Sequence, residues 1–292
     1  MTTTEAAQAA GALDAHRPML LGLAYRLLGS RHDAEDVLQD AYLRWLNVDR
    51  TRVAEPRRYL SRVVTRLAMD RLRARQSTRE AYVGPWLPEP VPTAPSPFGP
   101  LDRAEQRDSL ATALLHLLER LSPPERAVYV LHTAFELPYA EIAEILDRSP
   151  ADCRQLHHRA VARIGQDRRR FTADRAEQER LLDAFLAAAR DGDLARLTGL
   201  VAADATAWTD GGGRVKAARN PVAGVDRIAR FFAGIYGGVP FSARRLELNG
   251  QPAALIVRPD GSRYAITVAA AGGRITGLYV MGNPDKLSAL TD

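Results

Sequence analysis

The stretch Glu136–Ile164 reads ELPYAEIAEILDRSPADCRQLHHRAVARI. Two apolar stripes at helical spacing stand either side of a tight "RSP". In the first, Ile142, Ala143 and Leu146 face one way. In the second, Cys153, Leu156, Ala160 and Ile164 do the same. Ser149 suits an N-cap, and Pro150 suits the first helical position, where a missing N–H costs nothing. Asp152 completes a capping box. Two helices joined by so short a turn read as a helix-turn-helix. In that motif the first residues of the second helix reach base edges in the major groove. The outward positions here are Ala151, Arg154, Gln155, His158 and Arg159. Arg168, Arg169 and Arg170 follow as candidates for phosphate contacts. The plain alternative is an ordinary helical hairpin.

Upstream, "SRHDAEDVLQDAYLRWL" (Ser30–Leu46) opens with Ser30 and Asp33 at capping-box spacing. Ala34, Val37, Leu38, Ala41 and Trp45 form one apolar face. Asp36, Gln39 and Asp40 lie opposite, and periodicity alone makes them a solvated acidic face. The next segment, Pro56–Arg79, has a core stripe of Leu60, Val63, Val64, Leu67 and Leu72. It carries eight arginines against one acid, Asp70. That density is the electrostatic footprint of a phosphate-binding surface.

Beyond these helices the totals bound the answer. A chain of 292 residues suggests two or three domains, and 46% apolar content supports real cores. The net charge is +5, and all but two of the forty basic residues are arginine. Cys153 is the lone cysteine, so neither an intrachain disulfide nor a cysteine-built zinc site is expected. On the inward stripe it reads as a small core residue. His157 and His158 are adjacent and point different ways on a helix, a poor spacing for one metal. The N-terminus has neither a basic start nor a long apolar core, and no apolar run approaches the ~20 residues of a membrane span. A cytoplasmic protein is expected, with no membrane association.

Composition divides the chain. Residues 10–80 are helical and Arg-rich. Residues 81–104 form a Pro-rich linker containing "VGPWLPEPVPTAPSPFGP". Residues 105–171 are helical again and hold the helix-turn-helix. From 177 to 292 the pattern changes to two helices and then short apolar runs, "ALIV", "YAITV" and "ITGLYVM". Turn signals at Asn249-Gly250, Pro259-Asp260-Gly261 and Gly272-Gly273 separate or bound them. The fold class is therefore multidomain: two all-α parts followed by an α+β part.

These motifs, in this order, resemble a known family. "RLLGSRHDAEDVLQDAYLRWL" and "YLSRVVTRLAMDRLRAR" look like region 2 of extracytoplasmic-function sigma factors. The stretch from Leu121 to Ile164 looks like their region 4. Residues 177–292 look like a SnoaL-like domain of the NTF2 superfamily, a cone with a curved, mostly antiparallel sheet. "GPWLPEP", "DGGG" at Asp210–Gly213 and "NPDKL" at Asn283–Leu287 match motifs of the subgroup similar to the mycobacterial SigJ type.

The resemblance implies a sigma factor that binds core RNA polymerase and directs it to promoter DNA. Asp36, Gln39 and Asp40 would meet the β′ clamp helices, and region 4 would dock on the β flap. Arg154, Gln155, His158 and Arg159 would read the −35 element. Arg58, Arg62, Arg66 and Arg73 would serve the −10 element. The polymerase would do the chemistry, so no cofactor, metal or catalytic residue is assigned. A different class is a helix-turn-helix regulator fused to a small-ligand-binding or enzymatic SnoaL-like domain.

For the tail, the resemblance implies a built-in regulator, with a small ligand in its cone as a second reading. Isomerase-like chemistry would have to draw on Asp210, Asp226, Tyr236, Tyr264 or Tyr279, and a lone carboxylate near a tyrosine is poor support for it. Three consecutive glycines, Gly211, Gly212 and Gly213, exceed what one hairpin turn needs. They suggest a docking surface for the linker. Trp86 is expected to pack there as a buried anchor, near Asp210 and the Asn283, Pro284 and Asp285 segment.

Overall fold

A computed structural model describes residues 3–49, 52–79, 82–94, 97–98, 108–168, 171 and 173–290, with side chains of residues 3–13, 76–79 and 166–168 excepted. Arg169 and Arg170, and the side chain of Arg168, lie outside the described part. The chain divides into two compact units. One comprises Met1–Glu80, Ser96–Ser109 and Leu118–Ile164; the other comprises Ala81–Pro95, Leu110–Leu117 and Gly165–Asp292.

The first unit is all helix. It contains α1 (Thr3–Leu28), α2 (Arg31–Leu46) and α3 (Pro56–Arg79). α1 and α2 are joined at Gly29 in the left-handed region, and Ser30 accepts a hydrogen bond from Asp33 N. Ala34, Val37, Leu38, Ala41 and Trp45 are all buried, so the apolar face of α2 is the expected one. On α3 the buried stripe is Leu60, Val64, Ala68, Met69 and Leu72. Val63 and Leu67 sit at its half-buried edge.

α4 (Thr112–Leu118) falls almost wholly in the other unit. It is followed by α5 (Pro123–Thr133), α6 (Tyr139–Leu146) and α7 (Pro150–Arg168). Glu125 closes a capping box on Ser122 N and Oγ. α6 stops at Asp147, whose φ of 58° is left-handed, and Asp152 N donates to Ser149 Oγ at the start of α7. Cys153, Leu156, Ala160 and Ile164 are buried as the sequence implies. The motif is a helix-turn-helix.

The second unit is α+β. α8 (Arg175–Asp191), α9 (Leu194–Leu200) and α10 (Val225–Tyr236) accompany a six-stranded sheet, and a single turn, α11 (Pro284–Leu287), closes the chain. The strands are β1 (Val201–Asp210), β2 (Val222–Ala223), β3 (Ser242–Leu248), β4 (Gln251–Val257), β5 (Arg263–Ala271) and β6 (Arg274–Met281). Their spatial order is β2-β1-β6-β5-β4-β3. Only β1 and β6 run parallel, bringing Asp210 opposite Met281. The sheet is thus mostly antiparallel, as expected.

Both faces of the sheet are covered. Ala254, Ile256, Ile266, Val268, Leu278 and Val280 join a core with Phe185 of α8 and Phe232 of α10. The alternating positions Ala253, Leu255, Ala265, Ala269, Tyr279 and Met281 join a second core with Leu87, Ala113, Leu287 and Leu290. Leu87 comes from the Pro-rich linker and Ala113 from α4. Antiparallel sheets often leave one face to water; here the linker and α4 help to close that face.

Candidate nucleic-acid interface and linker-binding site

In the first unit, α7 exposes Arg154, Gln155, His158 and Arg159 together. Arg154 lies over the Tyr139 ring at 5.5 Å. Arg159 approaches Glu125 at 3.5 Å, while Arg163 pairs with the same carboxylate at 2.9 Å. Behind them His157 is held by Tyr139 Oη at 2.8 Å, and burial followed by the neighbouring His132 and His158 lowers its pKa. His158 thus belongs to the outward surface and His157 to the packing.

The arginines of α3 do not form one free surface. Arg58 donates to Glu144 at 2.5 Å, and Arg66 Nε donates to Ile145 O at 3.2 Å, both on α6. Arg73 pairs with Asp70 at 2.8 Å, and Arg62 is exposed. On α2, Gln39 and Asp40 are exposed, whereas Asp36 accepts from Arg71 Nη2 at 2.5 Å.

The densest polar arrangement lies in the second unit, around Asp210 at the end of β1. Its carboxylate is fully buried and accepts four hydrogen bonds. Tyr82 Oη (2.6 Å) and Gly212 N (3.1 Å) donate to Oδ1. Leu87 N and Lys286 Nζ, both at 2.8 Å, donate to Oδ2. Asn283 Nδ2 donates to Tyr82 Oη, and Lys286 Nζ also donates to Leu87 O. The ammonium stands 4.2 Å from the Trp86 ring centre and 5.0 Å from that of Tyr82. Burial, then the bond to Asp210, pushes the Tyr82 pKa upward, so its hydroxyl stays a donor.

A second clasp grips the linker farther on. Val91 N donates to Asn249 Oδ1 at 2.7 Å, and Asn249 N returns a bond to Val91 O. Thr93 N donates to Glu247 O, and Gly250 N to Thr93 Oγ1. Asn249, at φ 55°, therefore serves both the β3–β4 turn and the linker.

Each of the three glycines has its own reason. A Cβ on Gly211 would press against Val215 O at 2.6 Å and Ala217 Cβ at 2.8 Å. Gly212 has φ 57°, and its Cβ would overlap the Asn283 amide. Gly213 has φ 72° and packs on Val83 of the linker. The surface is thus shaped to admit the linker, but the buried anchor is Leu87, 1% exposed, rather than Trp86. Trp86 is half-buried because its face lies beneath Lys286 rather than in the core. Pro284 starts α11, and Asn283 caps it through Asp285 N; Asp285 also approaches Arg214 at 3.4 Å.

Sequence reasoning missed Tyr82 and the linker-binding roles of Asn249 and Lys286, and it took Trp86 rather than the adjacent Leu87 as the anchor. One signal was available for Lys286: it is one of two lysines in a chain that otherwise uses arginine throughout. A compact ammonium suits a narrow site between two rings where a planar fork does not.

Of the residues from which an enzyme would draw, Asp210, Tyr236 and Tyr264 line one cavity of the second unit, while Asp226 and Tyr279 lie outside it. Asp226 is exposed on α10. Tyr279 stacks on Trp208, with ring centres 5.0 Å apart. Asp210 has both oxygens engaged. Among the described residues no cluster of three or more His, Cys, Asp or Glu side chains is disposed to hold a metal, and no helix is long and apolar enough to cross a membrane.

Comparison with known proteins follows the same lines. Residues 12–78 match the Sigma-70 region 2 family and residues 111–164 match the Sigma-70, region 4 family. The chain is 37% identical over 289 residues to the ECF RNA polymerase sigma factor SigJ of Mycobacterium tuberculosis, covering 94% of this chain and 92% of the relative. The chain belongs to the extracytoplasmic-function sigma factors. A probable ECF sigma factor SigI of the same organism is 30% identical over 279 residues, covering 94% and 93%. The crystal structure of M. tuberculosis SigJ aligns over 96% of this sigma factor and 98% of that chain, with a TM-score of 0.76 and 32% identity. Family and fold together make it a sigma factor that directs transcription, with a C-terminal mixed-sheet domain; a helix-turn-helix regulator fused to a ligand-binding or enzymatic domain is not favoured. By family it is a transcription factor.

Proposed function

We propose that this sigma factor binds core RNA polymerase and promoter DNA through the surfaces above, and that its C-terminal unit regulates it by holding the linker. The observation that carries the proposal is the Asp210 carboxylate, which uses two of its four bonds on Tyr82 and Leu87. Asp36, Gln39 and Asp40 meet the β′ clamp helices, and region 4 sits on the β flap. Arg154, Gln155, His158 and Arg159 read the −35 element from α7. Arg58, Arg62, Arg66 and Arg73 serve the −10 element, and Arg58 and Arg66 must first leave α6.

The linker joins the two DNA-binding parts. A carboxylate and an ammonium that clamp residues 82–87, with Asn249 holding Val91, restrict the separation those parts can take. The decisive experiment is in vitro transcription with core enzyme, comparing the full chain, a chain ending at Phe171 and the triple variant of Gly211, Gly212 and Gly213 to alanine. Both altered proteins should change promoter output relative to the full chain while still binding core. Identical output from all three would overturn the regulatory part. Loss of core co-purification on Asp36→Arg with Asp40→Arg supports the clamp assignment, and unchanged co-purification refutes it.

A further inference from the structure

The second unit contains a cavity of about 260 Å³, at roughly 30 Å³ of liquid per water enough for a single-ring molecule. It lies between α10 and the sheet. Phe231, Phe232, Tyr236 and Tyr264 supply aromatic walls, and Arg258 and Lys216 supply the cations. Gly234 forms part of the rim, where an added Cβ would meet nothing within 4 Å.

The cations on this lining outnumber its one carboxylate, Asp210. The Arg258 guanidinium lies over the rings of Tyr236 (5.2 Å) and Tyr264 (5.4 Å). Its Nη2 donates to Ile235 O at 2.7 Å, and its Nε is buried without a hydrogen-bond partner. The carboxylate in the wall, Asp210, is saturated by the four donors described above. Thr209 Oγ1 is likewise engaged with Ala218. The cavity therefore offers donors and aromatic faces, and its one acid is spent. An occupant that satisfies it brings acceptors with negative charge at one end and a flat apolar body at the other. Pockets of this kind bind by apolar contact and take orientation from a few polar groups.

We propose that this cavity is a binding site for a small aromatic carboxylate. The carboxylate pairs with Arg258, with Lys216 at the side, and the ring lies among Phe231, Phe232 and Tyr264. The ring also lies close to Asp210, so an occupant stands against the residue that holds the linker. The binding claim does not depend on the regulatory reading and is tested apart from transcription.

The probe is benzoate, titrated into the full chain by calorimetry and saturation-transfer NMR, with benzamide as the neutral isostere. Benzoate should bind saturably, and benzamide at least about tenfold more weakly, the loss of a charge-assisted pair. Arg258→Gln should weaken benzoate by a similar factor and leave benzamide unchanged. Gly234→Leu, which fills the rim and favours the helix, should abolish both. The Gly234→Leu result and the benzoate–benzamide ratio decide the matter even if Arg258→Gln fails to fold. No saturable benzoate binding, equal binding of the two probes, or binding retained in a folded Gly234→Leu variant would each overturn the proposal.

Discussion

At Gly212 the backbone is left-handed and the space a Cβ would take is filled by the Asn283 amide. Placing an L side chain in that region costs about 1–2 kcal/mol before any clash. Gly212→Ala should therefore lower the melting temperature of the C-terminal unit by several degrees, at roughly 2–4 °C per kcal/mol for a domain of this size. Gly234→Ala, in open space on α10, should not lower it; calorimetry on the two variants checks the contrast. The same logic governs Asp210 and Lys286. Removing one member of a buried charge pair leaves the other uncompensated, at a cost of about 3–5 kcal/mol. Asp210→Ala and Lys286→Met should each release the linker, read as faster amide exchange at Leu87 and Val91. Protection equal to the wild type would show that the clasp at Asn249 holds the linker alone. Tyr82 adds a sign: its raised pKa means its contribution is complete below the ordinary tyrosine range and is lost as pH rises past that value. Of these residues Asp210, Gly212 and Asn283 were legible beforehand. Tyr82 and Leu87 sit in a linker whose sequence has no period, so nothing local marks which side chains are inward.

Elements were read more completely where periodicity was strong. α2, α6 and α7 have the faces that their apolar spacing implies, since one stripe of a helix must be buried and the caps at Ser30 and Ser149 set the phase. The exposed row on α7 leads to a prediction about DNA. A good Arg–guanine pair is worth about 1–3 kcal/mol of discrimination. Arg154→Ala should relax −35 preference, measured by binding across a panel of substituted promoters, and Arg159→Ala should do so less, because Glu125 already shares its charge. The α3–α6 contact leads to another. Glu141→Ala with Glu144→Ala removes both carboxylate partners of Arg58, and should raise affinity for a −10 DNA fragment; unchanged affinity would mean that Arg58 does not serve DNA. The strands held a signal that was passed over. "QPAALIV" and "RYAITVAAA" do not alternate apolar with polar, and their interiors are buried at nearly every position. A strand apolar on both sides must be covered on both sides. The sequence thus announced a second cover over the sheet without naming it.

For the molecule as a whole, the order of parts was written in composition: an Arg-rich helical block, a proline run, a capped helix pair and a stretch of apolar runs between glycine turns. Those are local properties, decided by spacing, propensity and backbone permissiveness, and they sufficed for the fold class and the family resemblance. The cover on the second sheet face was not. It comes in part from residue 87 and residue 113, more than a hundred positions before the strands they touch. A chain ending at Phe171 should leave residues 82–94 open to protease, whereas in the full chain they should resist cleavage; equal digestion of the two would contradict the clasp. The sequence by itself determined which helices form, where they start, which face each buries and which residues α7 turns outward, because each depends on neighbours a few positions away. Only the tertiary structure decided that Tyr82 and Lys286 meet Asp210, that Asp210 is a hub for donors rather than a base, and that Leu87 is the anchor. Those outcomes depend on which distant backbone N–H groups and rings arrive at one buried carboxylate, and no local pattern records that.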